Sequence, residues 1–484
     1  MKSSLFERRF VGLALAAVGL LLLGSAHVQG ATLRAGLTPD HSLLLGLAWL
    51  AVCAWVFEII PPAATGLLIP PALVLLGLAS PRAAFAGFAD PLLFVFVGAF
   101  MLTRAMVKFG LDARLAGALL RAPKVQGRPV LLLAMLACSA WLISMWVSNT
   151  ATCAALLPLV ARLERRDAPS LYPYLLIAYA TTIGGMVTPV GTPPNLIILR
   201  YLEGAGVELS FFDWIARALP ASLGLMAVLF GLLLPKCHDW SSARITPSGE
   251  TRRPWRLGER VALAALTAAV VGWLAPSFLA QWQEGFPIDL AARLHPGVVA
   301  LVVVLPIFFL RDPDSPERKR LLPAQEAFSI DWAVIFLFGG GIVLGGQVLD
   351  SGLAERLIQL SLPVLMPAGD GGGWSGPLTL AVGLVALTLV LTELCSNTAT
   401  AAILGPIALP LAVALSLPTS GLGLAIALSA SCAFALPVAT GPNAIIFAAD
   451  VVKPAVMLRV GTLLNLAAVV LISLALFLGL LGRT

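Results

Sequence analysis

The sequence predicts an all-α polytopic membrane protein with about eleven transmembrane helices, two re-entrant helical hairpins and two inverted repeats. Hydrophobic residues make up 59% of the 484 residues and charged residues only 12%, more apolar surface than a soluble domain of this size can bury. The apolar residues fall in runs of about 16–25, the length that a helix needs to cross hydrocarbon. Two motifs also recur at one constant distance along the chain.

Apolar runs define the predicted spans in chain order. The first, 10–26, follows a basic N-terminus and is long enough to span, so we expect a retained helix rather than a cleaved signal peptide. The other spans lie at 43–60, 64–79, 91–108, 172–200, 215–235, 260–280, 296–310, 331–349, 421–449 and 455–481, and the hairpins at 129–162 and 376–416.

The spans group into four predicted units. These are an N-terminal helix with an external loop (1–42), a first repeat (43–235), a cytoplasmic linker (236–259) and a second repeat (260–484). Within the repeats, 172–200 and 421–449 are predicted to be broken helices, interrupted at Gly191-Thr192-Pro193-Pro194 and at Gly441-Pro442.

The lysine and arginine residues set the predicted orientation. The net charge is +6, but the basic residues lie between apolar runs rather than on one face, so no nucleic-acid binding is expected. Most of them are cytoplasmic if the N-terminus is inside, as the positive-inside rule requires. An odd number of spans then places the C-terminus outside, and we expect a bacterial inner-membrane location.

The repeat is visible in two motifs. ISMWVSNTATCAALLP (143–158) matches LTELCSNTATAAILGP (391–406) at an offset of 248 residues, and the same offset aligns TPVGTPPNLII (188–198) with LPVATGPNAII (436–446). An odd number of predicted spans separates the hairpins, so the second copy is inverted relative to the first. Inverted repeats with interrupted helices are the architecture of secondary transporters.

The duplicated motifs contain residues suited to a transport site. Ser, Asn and Thr are good N-cap residues, so each hairpin tip can end one half-helix and begin the next. The amide groups at such a helix start favour an anion, while asparagine oxygens and freed carbonyls suit sodium. The alternative is that the motifs are ordinary caps and kinks. Their duplication at one offset favours a site.

The charges around the motifs indicate a need for cations. No lysine or arginine lies in the four motifs, and helix dipoles supply only fractional charge to a dianion, so we expect co-transported sodium ions.

Glu393 is the one acid in a hairpin arm. It can be a proton site or, as we favour, a hydrogen-bonding group that holds the hairpin loop. The six cysteines show no CxxC spacing, and no enzyme-like pattern is apparent.

The chain resembles the divalent anion:sodium symporter (DASS) family. The resemblance rests on SMWVSNTAT (144–152), GGMVTPVGTPPN (184–195), FLFGGGIVL (336–344), SNTAT (396–400) and LPVATGPNAII (436–446). It implies sodium-coupled symport of a C4-dicarboxylate such as succinate, malate or fumarate. It also implies a homodimer in the lipid membrane, with an elevator-type movement of the domain that bears both hairpins.

The resemblance implies specific site residues. The substrate would meet Ser148, Asn149, Thr150, Ser396, Asn397, Thr398, Thr440 and Gly441. The first sodium site would use Ser144, Ser148, Asn149 and Gly191, and the second Thr392, Cys395, Asn397 and Ala439.

One residue departs from the family pattern. Gly441 stands where the family usually has the first of two prolines, and its lack of a rigid ring would widen the pocket or loosen the start of the half-helix. Citrate and sulfate therefore remain candidate substrates. A sodium-independent dicarboxylate exchanger is the alternative within this fold, and an anion channel is the alternative from another class.

Overall fold

The computed structural model describes residues 2–28, 30, 36–111, 114, 128–163, 170–237, 254–279, 293–313, 319–365, 375–449 and 451–482. Over these residues the regular structure is helical, apart from an isolated bridge between Arg311 and Arg320, so the all-α prediction is confirmed. Eight of the described helical segments are long and apolar enough to cross a membrane. The chain is therefore a multi-pass membrane protein, and the predicted count of about eleven spans remains a prediction.

The described helices are numbered in chain order. They are α1 (Lys2–Val28), α2 (Pro39–Phe57), α3 (Pro62–Leu75), α4 (Pro81–Ala86), α5 (Pro91–Phe109), α6 (Pro129–Ser144), α7 (Asn149–Leu163), α8 (Tyr172–Gly185), α9 (Pro193–Gly204), α10 (Phe211–Leu233), α11 (Leu257–Leu279), α12 (Pro296–Phe309), α13 (Ala324–Ala327), α14 (Trp332–Asp350), α15 (Leu353–Leu365), α16 (Ser375–Leu394), α17 (Asn397–Ala414), α18 (Thr419–Ser431), α19 (Gly441–Ala448) and α20 (Pro454–Phe477).

The helices α6 and α7 form the first hairpin, and α16 and α17 form the second. The arms of the first contain 16 and 15 residues, whereas those of the second contain 20 and 18, roughly 27–30 Å at 1.5 Å per residue. The second pair is thus close to the length of full spans. The length of these arms therefore does not indicate whether the second hairpin re-enters the membrane or crosses it, and the re-entrant path remains a prediction.

The two helix breaks lie earlier in the chain than the sequence indicated. The irregular segments are 186–192, between α8 and α9, and 432–440, between α18 and α19. The second half-helices begin at Pro193 and Gly441. Their prolines, Pro193 and Pro442, lie in the first helical turn, which tolerates the missing N–H of proline, and so do not interrupt a helix. Thr192 and Thr440 precede them in extended conformation as N-cap residues.

The broken helices pack at the centre of the molecule. Nearly every residue of α8 and α18 is buried, as expected for helices that are apolar all round. The first half-helices contact the hairpin of their own repeat, α8 against α6 and α7, and α18 against α16 and α17. The second half-helices contact the hairpin of the other repeat, α9 against α17 and α19 against α7. This exchange brings both hairpin tips and both breaks together.

The glycine cluster of α14 allows close helix packing. A Cβ atom at Gly340 would lie 2.4 Å from the Cα atom of Gly66 on α3, a separation at which no side chain fits. These glycines therefore serve close helix packing.

Candidate transport site

A cavity of about 340 Å³ lies where the tips and the breaks meet. Its wall contains all of the residues predicted to bind the substrate. It also contains six of the eight residues predicted to bind sodium, including three that are not predicted substrate ligands, Gly191, Cys395 and Ala439. Two other predicted sodium ligands, Ser144 and Thr392, lie behind this wall and are fully buried. The structure thus brings residues that are about 250 positions apart in the sequence to one place.

Each hairpin tip contains a pair of adjacent side-chain oxygens. The Ser144 hydroxyl donates a hydrogen bond to Oδ1 of Asn149 over 2.6 Å, and the Thr392 hydroxyl donates to Oδ1 of Asn397 over 2.7 Å. The Thr392 hydroxyl also lies 2.6 Å from the carbonyl oxygen of Ala430, at the end of α18. In both repeats a hydroxyl in the last turn of the first arm thus meets the asparagine that begins the second arm. Such oxygen pairs can bind a cation.

The helix starts at the tips point their amide groups towards the same cavity. Ser396 is the N-cap of α17, and its hydroxyl accepts a hydrogen bond from the amide of Ala399 over 3.4 Å. In the first repeat the corresponding helix α7 begins at Asn149, one residue after Ser148. Both half-helices therefore present the positive end of their dipole at the cavity, which favours an anion.

Two asparagines hold the breaks in place. The Asn195 side chain donates to the carbonyl oxygens of Thr188 over 2.7 Å and Gly185 over 3.2 Å. In the second repeat Asn443 donates to those of Leu436 over 3.0 Å and Ala433 over 3.1 Å. Because irregular backbone at membrane depth must have its polar groups satisfied, these asparagines stabilise the breaks. Neither asparagine was predicted to have a role, although their equal positions in the two repeats were a signal that could have identified them.

A link between hairpin and break occurs in both repeats but with different chemistry. In the first repeat the Thr188 hydroxyl in the break donates to the backbone carbonyl of Met145 at the tip. The offset of 248 places Glu393 at the position of Met145. In the second repeat the Glu393 carboxylate accepts from the backbone amides of Ala435 over 2.7 Å and Leu436 over 2.9 Å, both in the break.

Glu393 also contacts a third element. The Asn465 side chain of α20 donates to its carboxylate over 2.6 Å. Glu393 is buried, with 9% of its surface exposed, and three donors stabilise its negative charge. The favoured prediction for Glu393 was a hydrogen-bonding role within the hairpin loop. The structure shows a hydrogen-bonding role, but the partners lie in the break and in α20.

Gly441 allows the first hairpin tip to approach the second break. A Cβ atom at Gly441 would lie 2.0 Å from Oγ1 of Thr150, so the space left by the missing side chain is filled by Thr150. The expectation of a wider pocket is therefore wrong. The Thr440 hydroxyl caps α19 by accepting from the amide of Asn443 over 3.3 Å, and the expectation of a loosened half-helix stays a prediction.

The charged residues of the cavity wall come mostly from outside the motifs. The wall contains one basic side chain, Arg8, and three acidic ones, Glu58, Asp331 and Glu393. Asp331 also caps α14 by accepting from the amide of Ala333 over 3.1 Å. The formal charge of the wall is thus negative. Arg8, Glu58 and Asp331 were not among the predicted site residues, because each lies outside the four motifs in the sequence.

An ion pair lies apart from this cavity. The Asp90 carboxylate, at the start of α5, is 2.5 Å from Nε of Arg200 on α9. Asp90 also caps α5 by accepting from the amide of Leu92 over 2.9 Å. The pair therefore connects a broken helix to an element outside the hairpins.

The fold and the cavity are typical of a membrane transporter built from two repeats. The family profile described as citrate transporter (CitMHS) matches residues 52–292 and 286–483, and the chain belongs to this family. The resemblance to the DASS family is thereby confirmed. Because this family and the relatives below are transporters, the chain is a transporter and not an enzyme.

Several known proteins are similar over most of the chain. An uncharacterized transporter of Haemophilus influenzae is 34% identical over 442 residues, which cover 88% of this chain and 90% of the relative. The sodium-dependent dicarboxylate transporter SdcS of Staphylococcus saprophyticus is 30% identical over 459 residues, covering 89% and 84%. The crystal structure of the YdaH transporter of Alcanivorax borkumensis has a TM-score of 0.50 at 16% identity, covering 82% and 88%. This last likeness shows a shared fold.

Proposed function

We propose that the chain is a sodium-coupled symporter that carries a C4-dicarboxylate, such as succinate, into the cell across a bacterial inner membrane. The main supporting observation is that two hairpin tips, each with a hydroxyl–asparagine oxygen pair, meet in one cavity. The name of the Staphylococcus relative, a sodium-dependent dicarboxylate transporter, supports the same substrate and the same ion.

The proposed roles follow from the positions of the residues. The substrate carboxylates bind the helix starts at the two tips and the hydroxyls beside them, and Thr440 and Gly441 complete the site. The first sodium ion binds Ser144, Ser148, Asn149 and Gly191, and the second binds Thr392, Cys395, Asn397 and Ala439. Cys395 contributes its carbonyl oxygen, because its thiol lies 3.1 Å from the hydroxyl of Thr400.

The electrostatics of the wall support coupling to cations. A dianion that enters a cavity with more acidic than basic side chains is repelled unless positive charge enters with it. Helix dipoles contribute only about half a charge at each helix start. Sodium ions at the two oxygen pairs supply the missing charge, so the anion binds well only after the cations.

The proposed transport movement is an elevator. The two hairpins and two broken helices pack against one another and would move as one body past the remaining helices, within a homodimer in the lipid bilayer. With the N-terminus in the cytoplasm, the charged wall residues Arg8, Glu58 and Asp331 lie at the cytoplasmic ends of their segments. The cavity then opens towards the cytoplasm, and the Asp90–Arg200 pair lies on the external side.

Uptake into proteoliposomes tests this proposal. Radiolabelled succinate, citrate and sulfate are offered with an inward sodium gradient, or with choline in place of sodium. We expect saturable succinate uptake that requires sodium. The Asn149→Ala and Asn397→Ala variants should abolish it, while Thr267→Ala, on the exposed side of α11, should transport like the wild type. Full activity of either asparagine variant would refute the site.

The same assay separates the alternatives. Citrate is a specific second candidate because the family carries the description citrate transporter, and preferential citrate uptake would replace succinate in the proposal. Sodium-independent uptake that needs internal dicarboxylate would indicate an exchanger. Fluxes without saturation or counterflow would indicate a channel.

A further inference from the structure

Arg8 lies in an unusual position for a residue of the N-terminal helix. Its guanidinium group reaches the cavity wall, where it donates two hydrogen bonds through Nη2. One goes to the backbone carbonyl of Val56, at the end of α2, over 2.5 Å. The other goes to the carbonyl of Leu394, the last residue of α16. Leu394 lies two positions before Ser396, so the guanidinium is beside the second hairpin tip.

The guanidinium of Arg8 binds backbone carbonyl groups rather than a carboxylate. Within the described part of the chain its bonds go to carbonyl oxygens, and no carboxylate lies within ion-pair distance of it. Of the three acids on the wall, Glu393 is occupied by its own donors and Asp331 caps a helix. Glu58, the third acid, also lies on the wall but forms no ion pair with Arg8 among the described residues, so the guanidinium keeps donors for an anion.

The guanidinium is also held in place. Two carbonyls, each at the C-terminal end of a helix, fix one of its nitrogens and favour its positive charge. Guanidinium has five N–H donors in a planar fork that matches a carboxylate. The two bonds use only Nη2, so the N–H groups of Nε and Nη1 remain as charge-assisted donors to a carboxylate oxygen.

We propose that Arg8 is an anion-binding residue at the mouth of the cavity, where it binds one carboxylate of the substrate as the substrate passes between the hairpin tips and the cytoplasm. This inference rests on the proposed function, because it takes a dicarboxylate as the ligand. It assigns to the first helix of the chain a direct contact with the substrate, in addition to the contacts made by the duplicated motifs.

Arg9 offers a matched control. It is the next residue on the same helix and carries the same charge, but its Nε atom donates to the carbonyl of Glu58 over 3.0 Å and it does not form part of the cavity wall. Arg8→Gln and Arg9→Gln therefore remove the same charge from neighbouring positions, and only the first removes it from the cavity. Arg8→Lys keeps the charge but loses the planar fork.

The first experiment measures thermal unfolding of the purified protein in detergent, with sodium and increasing concentrations of succinate, citrate or sulfate. We expect Arg8→Gln to require about tenfold more anion than the wild type for the same stabilisation, the effect of losing one charge-assisted hydrogen bond. Arg8→Lys should fall between the two, and Arg9→Gln should match the wild type. A purely structural role would lower the unfolding temperature without anion and leave the anion dependence unchanged, which would overturn the proposal.

The second experiment compares the two sides of the membrane. In inside-out vesicles the KM for succinate should rise about tenfold in Arg8→Gln, while in right-side-out vesicles it should stay close to that of the wild type. An equal rise on both sides would overturn the placement at the cytoplasmic mouth. If the wild type responds to none of the three anions, the proposed function and the role of Arg8 both fail. If the wild type responds and Arg8→Gln responds equally, only the role of Arg8 fails.

Discussion

The contact between Gly441 and Thr150 gives a prediction that depends on a single atom. In Gly441→Ala the new Cβ atom would lie 2.0 Å from Oγ1 and 3.0 Å from Cβ of Thr150, whereas carbon and oxygen atoms in contact are about 3.5 Å apart. The first hairpin tip must then move by about 1 Å or more, or Thr150 must change rotamer. Overpacking of this kind costs about 1–3 kcal/mol.

The cost should appear in substrate binding. Because Thr150 is a proposed substrate ligand, displacement of the tip should raise the KM for succinate by between about fivefold and about 150-fold. Gly383→Ala on α16 is the matched control, since an added Cβ there has no neighbour within 4 Å. In a Thr150→Ala background the cost of Gly441→Ala should become smaller, because the clashing hydroxyl is absent.

Two measurements decide the outcome. Uptake kinetics in proteoliposomes report the KM, and thermal unfolding in detergent reports whether the clash destabilises the empty protein instead. A Gly441→Ala variant that matches both wild-type values would show that the tip and the break are not in contact. An equal cost of Gly441→Ala in the wild-type protein and in the Thr150→Ala background would also contradict the reasoning.

Three further predictions concern the neighbouring contacts. Ser144→Ala should raise the sodium concentration for half-maximal uptake about tenfold, because Asn149 loses its oxygen partner at the first proposed sodium site. A change in the KM for succinate without a change in the sodium dependence would contradict the assignment of Ser144 to that site. Glu393→Ala leaves the backbone amides of Ala435 and Leu436 without this acceptor, at up to about 1–3 kcal/mol each. It should lower the unfolding temperature more than Glu393→Gln does. Arg200→Gln leaves the nearly buried Asp90 carboxylate without its partner and should destabilise the protein, with partial recovery in the double variant Asp90→Asn/Arg200→Gln.

The sequence predicted the parts of the site that repeat. The offset between the two motifs was sufficient to identify both hairpin tips and both breaks, because duplicated residues can be compared within one chain. The exact helix starts were misplaced, since Pro193 and Pro442 look like interruptions in the sequence but are accommodated in a first helical turn. Local sequence therefore identified the elements more reliably than their boundaries.

The sequence did not predict contacts between distant elements. Arg8 precedes the first motif by more than a hundred residues, and only the packing of α1 against α2 brings it to the cavity. The space beside Gly441 was misjudged for the same reason, because its occupant, Thr150, belongs to the other repeat. Both cases depend on tertiary packing, which local patterns do not encode.

The exchange of half-helices between repeats has a consequence for the history of the molecule. A chain with only one repeat would possess a hairpin tip but lack the half-helix that packs against it, so two oppositely oriented copies would have to associate to complete a site. Fusion into one chain makes that association intramolecular and raises the effective concentration of each half for the other. It also frees the halves to diverge, as Glu393 has from Met145 and Gly441 from Pro193.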